Sequence, residues 1–192
     1  MQKTDTINKP LESSLLELFD QQKNELFNAC HPKVELARKE SIEFLRENGL
    51  PTRKDEKWKN SPFSKQYEKD YIIDVPSVSY DTNVNKIFRC EVHGFESQTY
   101  SLLNGWYYSP EEKQLETLEN GVVVGSMLKA QKEYPELFDK YFGQVANHKQ
   151  NGFAAANTAL FRDGIFIYVP DGVEVENTMQ LIKMMNREEP LM

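Results

Sequence analysis

A series of short strand-like runs near the carboxyl end of the sequence constrains the fold most. Ile165–Val169 is an unbroken apolar run, and a Pro-Asp-Gly turn follows it. Val173–Glu176 then alternates between apolar and acidic residues, which is the period of a half-buried strand. After an Asn-Thr turn, apolar residues resume at Met179, Leu181 and Ile182. Short strands separated by tight turns are typical of solenoids and barrels rather than of a parallel sheet with crossover helices.

The central part of the sequence mixes strand and helix patterns. Two apolar runs flank Asn104-Gly105, a pair typical of a two-residue hairpin turn because both turn residues need positive φ. We expect an acidic helix near Pro110–Glu119 and a buried strand over Gly121–Met127. A helix should follow over Leu128–Phe142, and Pro135 should divide it into two pieces.

The amino-terminal part predicts two amphipathic helices joined by a short turn. Between Leu11 and Cys30 the apolar residues recur on one helical face; they are Leu15, Phe19, Leu26 and Phe27. A second helix should begin at Pro32 and end at Asn48-Gly49. Its apolar stripe contains Val34, Ala37, Phe44 and Leu45.

A short helix over Glu56–Lys59 and a long polar connection over Ser64–Lys86 complete the predicted amino-terminal half. The expected fold class is therefore α+β. We predict a helical region over residues 1–86 and a mixed hairpin and helix segment over residues 87–192, which leads into the strand series.

Composition and charge narrow the function classes. The chain has 192 residues, a formal net charge of -7 and a pI near 5.1, which disfavours nucleic acid as the main partner. No apolar run reaches the ~18 residues of a membrane-spanning helix, and the first residues lack the apolar core of a secretory signal. Two cysteines in a chain of this size fit reduced thiols better than a disulfide framework. We expect a cytoplasmic protein.

No pattern of catalytic or metal-binding residues emerges. The isolated residues His31, His93 and His148 show no ligand spacing, and Cys30 and Cys90 fit buried, inert thiols. The stretch "GVVVGS" lacks the lysine and the spacing of a phosphate-binding loop. No carboxylate pair stands out as catalytic, so we predict that this chain is not an enzyme and holds no cofactor.

The stretch "RKDEKWK" is the one candidate for partner binding. Trp58 lies between cations, and Arg53 and Lys59 flank it. Trp and Arg dominate interface energetics, so these three residues could hold a partner surface. The alternative interpretation is structural: Trp58 packs under the helical pair while the two cations stay solvated.

Four stretches together resemble a known family. They are "GLPTRKDEKWK", "LLNGWYYSPE", "ENGVVVGSMLKA" and "NGFAAANTALFRDGIFIYVPDGVEVENTMQLI". Their order and spacing are similar to those in the amino-terminal part of the SufB/SufD family of iron–sulfur cluster assembly proteins. Within this family, the stretches resemble the SufD members. The resemblance covers about Lys33–Ile182, and the last motif is the most specific.

The resemblance implies a helical amino-terminal region, the first turns of a right-handed parallel β-helix, and a truncated fold. It also implies a SufB-type subunit and a SufC-type ATPase as partners in a scaffold on which iron–sulfur clusters are built. The family's proposed cluster positions lie late in the β-helix, and its SufC contacts lie in carboxy-terminal helices. Both regions would come after Met192, so the resemblance assigns no ligand residue here. An iron–sulfur cluster is expected only in the assembled complex.

A second interpretation is a free-standing interaction module whose β part is completed by a partner or by a second copy. Solenoids normally end in a polar cap, whereas the last residues include Met184, Met185 and Leu191. We therefore expect either an exposed strand edge that pairs with another copy or a frayed tail.

Overall fold

A computed structural model describes residues 10–28, 30–61, 63–69, 71, 97–109 and 113–185. The helices are α1 (Pro10–Phe27), α2 (Pro32–Asn48), α3 (Met127–Glu133), α4 (Pro135–Tyr141) and α5 (Gly152–Leu160). The strands are β1 (Ser97–Leu103), β2 (Trp106–Tyr108), β3 (Leu115–Thr117), β4 (Val123–Ser126), β5 (Ile165–Tyr168) and β6 (Thr178–Met184). Short 3-10 turns cover Glu56–Trp58 and Phe63–Lys65. The α+β class is confirmed.

The described residues form two compact units. The helical unit contains those of Met1–Asp74 and Asp139–Leu160, and the β unit contains those of Val75–Phe138 and Phe161–Glu188. Each unit is therefore assembled from segments that are not consecutive in the chain. The predicted boundary at residue 86 lies outside the described residues and stays a prediction.

Helices α1, α2 and α5 supply the core of the helical unit. The predicted apolar face of α1 is confirmed, since Leu15, Phe19 and Leu26 are buried. Helix α2 has the predicted bounds, and Gly49 ends it with a φ of 66° and an N–H that donates to the Leu45 carbonyl. A glycine suits this position because the left-handed conformation costs it nothing.

Helix α5 was absent from the sequence prediction. The Asn151 side chain begins it, because its Oδ1 accepts hydrogen bonds from the N–H groups of Phe153 and Ala154. Its buried residues Ala155, Ala156 and Ala159 belong to the same core as α1 and α2. A Cβ on Gly152 would lie 2.2 Å from the Gly49 carbonyl oxygen. The glycine therefore permits the close approach of α5 to the end of α2.

The predicted hairpin forms the first sheet of the β unit, whose strand order is β2-β1-β6. Asn104 and Gly105 have φ values of 50° and 88°, as the turn requires. Strand β6 pairs with β1 in parallel, with Ser97 opposite Thr178 and Leu103 opposite Met184. The predicted third run is thus a strand.

The second sheet has the order β3-β4-β5, and both of its pairs are antiparallel. The predicted buried strand is confirmed as β4. The predicted acidic helix near Pro110–Glu119 is wrong in its described part, because Leu115–Thr117 is strand β3. Gly125 explains the pairing: a Cβ there would lie 2.4 Å from the Gln114 carbonyl oxygen, so only glycine lets the strands approach.

The predicted strand over Val173–Glu176 is also wrong. Gly172 turns the chain with a φ of 78°, and the following residues pair with no described strand. The alternation of apolar and acidic residues is still reflected in their burial. Val173 and Val175 are half-buried against the core of the β unit, whereas the two glutamates are exposed. The start of a parallel β-helix stays a prediction, since the structure has a single parallel pair among its described strands.

Helices α3 and α4 confirm the predicted division at Pro135, which is the first residue of α4. Several other predictions fall outside the described residues. They concern Cys90, His93, Leu191 and most of the Ser64–Lys86 connection.

Candidate partner-binding surface

The candidate surface consists of the described residues 51–61 and 63–65 of the helical unit, here named the 51–65 segment. Its first turn is held by Asp55, whose Oδ2 accepts hydrogen bonds from the Thr52 N–H at 2.7 Å and from Thr52 Oγ1 at 3.2 Å. The Trp58 N–H then donates to the Asp55 carbonyl and closes the 3-10 turn over Glu56–Trp58. The short helix predicted over Glu56–Lys59 is thus a 3-10 turn over Glu56–Trp58 with its own hydrogen bonds.

Two further hydrogen bonds fix the start of the 51–65 segment to the helical core. The Leu50 N–H donates to Glu12 Oε2 on α1 at 2.7 Å. The buried Tyr67 hydroxyl donates to the Pro51 carbonyl. Burial is the main cause that raises the pKa of the Tyr67 hydroxyl, with the carboxylates of Asp55 and Glu12 adding to it. The hydroxyl therefore remains a hydrogen-bond donor at neutral pH.

An aromatic cluster supports the middle of the 51–65 segment. The Trp58 ring lies 5.6 Å from the Phe63 ring and 5.5 Å from the Phe153 ring on α5, measured between centroids. Phe63 and Phe153 are 5.8 Å apart in an edge-to-face arrangement, which is a favoured geometry for aromatic pairs. Trp58 is half-buried, and Phe63 is 40% exposed. The cluster therefore presents part of its apolar surface to solvent.

The cations of the 51–65 segment are exposed. They are Arg53, Lys54, Lys57, Lys59 and Lys65. Lys59 lies 3.8 Å from Glu56, a weak exposed pair. Of the three residues singled out by sequence, Trp58 lies in the aromatic cluster while Arg53 and Lys59 are solvated. A partner-binding role for Arg53, Trp58 and Lys59 stays a prediction.

Sequence reasoning missed Phe63 and Phe153 as members of this surface. Phe63 lies just after the quoted stretch, and its nearness to Trp58 was a usable signal. Phe153 belongs to α5, which had not been predicted, so no local pattern could place it beside Trp58.

The described histidines have structural contacts. His31 caps α2, since its Nδ1 accepts from the Lys33 N–H at 3.2 Å while its Nε2 lies 3.5 Å from Asp139. His148 Nε2 lies 3.2 Å from Glu40 Oε2, which also binds Lys149 at 2.8 Å. Within the described ranges, no group of three or more His, Cys, Asp or Glu residues is placed to hold a metal ion.

The sequence predicted a buried Cys30, whereas its side chain is only half-buried. Desolvation by burial is the main cause that raises its pKa, and the nearby Arg38 guanidinium opposes this. Since the thiolate is the reactive form of cysteine, the raised pKa disfavours nucleophilic or metal-binding chemistry at neutral pH.

The edge of β6 is a second surface, in the β unit. Strand β6 lies at the end of the first sheet and pairs with β1 along one side. Leu181 is 50% exposed and the following Met185 is 56% exposed. Among the described strands, none pairs with its other side; the exposed edge stays a prediction. None of the described helices is both long and apolar enough to cross a membrane.

Comparisons with known proteins identify the family. The model of the SufBD protein N-terminal region matches residues 9–181. An iron–sulfur cluster assembly SufBD family protein from Synechocystis sp. is 45% identical over 56 residues, which are 29% of this chain and 12% of that protein. A protein of the same description from Staphylococcus aureus is 38% identical over 81 residues, which are 42% of this chain and 17% of that protein. The matched segments thus span less than a fifth of these relatives. Because the family model covers most of the chain, this protein belongs to the SufBD family through its amino-terminal region.

Proposed function

We propose that this chain is part of a scaffold for iron–sulfur cluster assembly of the SufB–SufC–SufD type, on the SufD side of the family. The observation that carries the proposal is the family match over residues 9–181. The names of the similar proteins from Synechocystis sp. and Staphylococcus aureus add support, since both describe iron–sulfur cluster assembly. The proposed location is the cytoplasm.

In this proposal the chain contributes binding surfaces rather than chemistry. The raised pKa of the Cys30 thiol and the structural contacts of His31 and His148 favour such a role. The proposed partners are a SufB-type subunit and a SufC-type ATPase of the same organism. The cluster would be built on the assembled complex, and this chain would neither hydrolyse ATP nor hold a cluster alone.

We further propose that the parallel pair of β1 and β6 is the first contact of a right-handed parallel β-helix. Seven residue pairs in parallel register, from Ser97–Thr178 to Leu103–Met184, support this. In such a fold the free side of β6 would receive the next strand.

Co-purification tests the scaffold role. A tagged version of this chain, expressed with the SufB-type and SufC-type subunits of its organism, should retain at least the SufB-type subunit on the affinity resin. Anaerobic treatment of the isolated chain with ferrous iron and sulfide should leave it without the visible absorbance of a cluster. Loss of the subunit from the resin, or a stoichiometric cluster on this chain alone, would contradict the proposal.

The exposed apolar residues at the β6 edge favour a second candidate, a free-standing interaction module completed by another copy. This candidate predicts self-association in sedimentation experiments. Leu181→Lys should abolish it, because a charge on an edge strand blocks strand pairing. Val145→Lys is the matched control, since Val145 is 99% exposed and lies in the helical unit. A monomer at all concentrations would rule out the module in its homo-oligomeric form.

A further inference from the structure

The 51–65 segment is unusual in its charge. It contains five cations and two carboxylates, a net charge of +3, in a chain whose net charge is -7. Asp55 is engaged in its own turn through Thr52, and Glu56 approaches Lys59 at 3.8 Å. Arg53, Lys54, Lys57 and Lys65 are exposed to solvent. The positive charge of the segment is therefore available to another molecule.

The apolar part of the same segment is also incompletely covered. Phe63 keeps 40% of its surface exposed although it contacts Trp58 and Phe153. Trp58 is half-buried in the same cluster. Trp and Arg are enriched in interface hot spots, and the segment contains Trp58 and the exposed Arg53. The segment thus offers both charge and apolar contact.

The backbone of the segment is held before any partner arrives. Glu12 and Tyr67 bind the Leu50 N–H and the Pro51 carbonyl, and Asp55 closes the first turn. The tight contact of Gly152 with Gly49 holds the preceding residues. A surface ordered in this way loses little conformational entropy on binding, which favours affinity.

We propose that the 51–65 segment is a docking surface for an acidic segment of another protein. The partner places carboxylates against the cations Lys54 and Lys57 and an apolar side chain against Phe63 and Trp58. Charge complementarity carries the choice of partner, since opposite potentials steer association and fix register. A nucleic acid is disfavoured because the remainder of this chain repels phosphate. The inference goes beyond the cluster-assembly role and does not depend on it.

Fluorescence anisotropy tests the proposal with a labelled peptide of repeated Glu-Glu-Leu-Ser units, and with its Gln-Gln-Leu-Ser counterpart. The intact chain should bind the acidic peptide and not the neutral one, and rising salt should weaken the binding. The double variant K54E/K57E should weaken it about tenfold, because two attractions become repulsions. The matched control K23E/K69E changes the net charge equally at exposed lysines outside the segment and should weaken it less than about twofold.

A third variant separates apolar contact from charge. Phe63→Ser removes the exposed ring, leaves every charge in place, and should weaken binding about threefold. Circular dichroism spectra of the lysine variants should match that of the unmodified chain, because the substituted lysines are exposed. The spectrum of Phe63→Ser checks that the aromatic cluster can lose this ring without loss of the fold. Four results would overturn the proposal: no binding of the acidic peptide, equal loss in both double variants, unchanged binding in Phe63→Ser, or tighter binding of an oligothymidine of equal length.

Discussion

In each of the two units, a charged side chain forms hydrogen bonds with segments that are far away in sequence. In the helical unit, Arg38 on α2 is 3% exposed, and its Nη1 donates to the Ala159 carbonyl at 2.7 Å across 121 positions. In the β unit, Asp163 Oδ1 accepts from Ser126 Oγ at 2.8 Å and from the Leu128 N–H at 3.0 Å. Its Oδ2 accepts from the Tyr107 N–H at 3.1 Å.

The signs of the two charges match the helix ends that they bind. Arg38 places a cation at the carboxyl end of α5, where unpaired carbonyls carry negative partial charge. Asp163 places an anion at the amino end of α3, where Ser126 is the N-cap residue and unpaired N–H groups carry positive partial charge. Distant segments are thus joined through helix ends, which are the places where a chain leaves backbone groups without partners.

The two units differ in how much apolar packing accompanies these contacts. Among the described residues, the core of the helical unit includes large buried side chains such as Leu15, Leu45 and Leu50. Among the described residues of the β unit, the buried cluster contains Tyr100, Tyr107, Val122 and Val124. Its described cluster thus has fewer buried side chains than that of the helical unit. Substitutions at the two charged residues test this comparison.

Removal of Arg38 should have the largest effect. Arg38→Ala leaves a cavity and an unpaired carbonyl at the end of α5, which should lower the free energy of unfolding by about 3–4 kcal/mol. The measurement is urea unfolding followed by circular dichroism. Arg46→Ala is the matched control, because Arg46 pairs with Asp20 at the surface at 2.6 Å and should cost less than about 1 kcal/mol. Equal losses in the two variants would contradict the assigned role of Arg38.

Removal of the Asp163 side chain should cause the second-largest loss of stability. Asp163→Ala deletes the acceptor of three hydrogen bonds and should cost about 2–3 kcal/mol. Hydrogen exchange should show faster exchange of the amides of Tyr107 and Leu128 than of amides elsewhere in the β unit. Asp171→Ala alters an exposed turn of the same unit and should change stability by less than about 0.5 kcal/mol. Unchanged exchange at both amides would show that Asp163 does not join these segments.

A methyl group at Gly152 tests the close approach of α5 within the helical unit. Gly152→Ala places its Cβ against the Gly49 carbonyl oxygen, and the backbone must move, at a cost of about 1–3 kcal/mol. Thermal unfolding measures the effect. Gly164→Ala is the control, because the nearest atom to its Cβ, on Met127, is 3.7 Å away. A fully tolerated Gly152→Ala would mean that α5 and the end of α2 separate easily.

The sequence predicted correctly those elements that begin, turn or end at a short sequence signal. Pro32 at the first turn and Gly49 after the last turn bound α2, and Asn104-Gly105 fixed the hairpin. Helix α5 was missed because it has only nine residues and is largely apolar, and a short apolar run shows no clear helical period. The one local signal was Asn151, which caps it.

The wrong predictions concern elements that tertiary pairing decides. The acidic residues before Glu119 suggested a helix, but Leu115 pairs with Gly125, and this contact overrides local propensity. In the candidate surface, the cations and Trp58 were visible in one stretch of sequence. Phe153 reaches the same cluster only because α5 folds back onto the helical unit.

The smallest expected effect concerns the pH dependence of the helical unit. Glu40 on α2 accepts hydrogen bonds from Lys149 and His148, and these lower the pKa of its carboxyl below the ordinary value of 4.5. Because the pKa of Glu40 is lowered in the folded state, the ionised Glu40 carboxylate stabilises the unit above about pH 4.5. This contribution disappears as the pH falls through the folded-state pKa of Glu40. The Glu40 side chain is 39% exposed, so Glu40→Gln should cost at most about 0.5 kcal/mol at neutral pH. The difference in the free energy of unfolding between Glu40→Gln and the unmodified chain should vanish at acid pH. Glu47→Gln, at an exposed position of the same helix, is the control variant. A loss of stability in Glu40→Gln that persists in acid would assign the loss to packing rather than to charge.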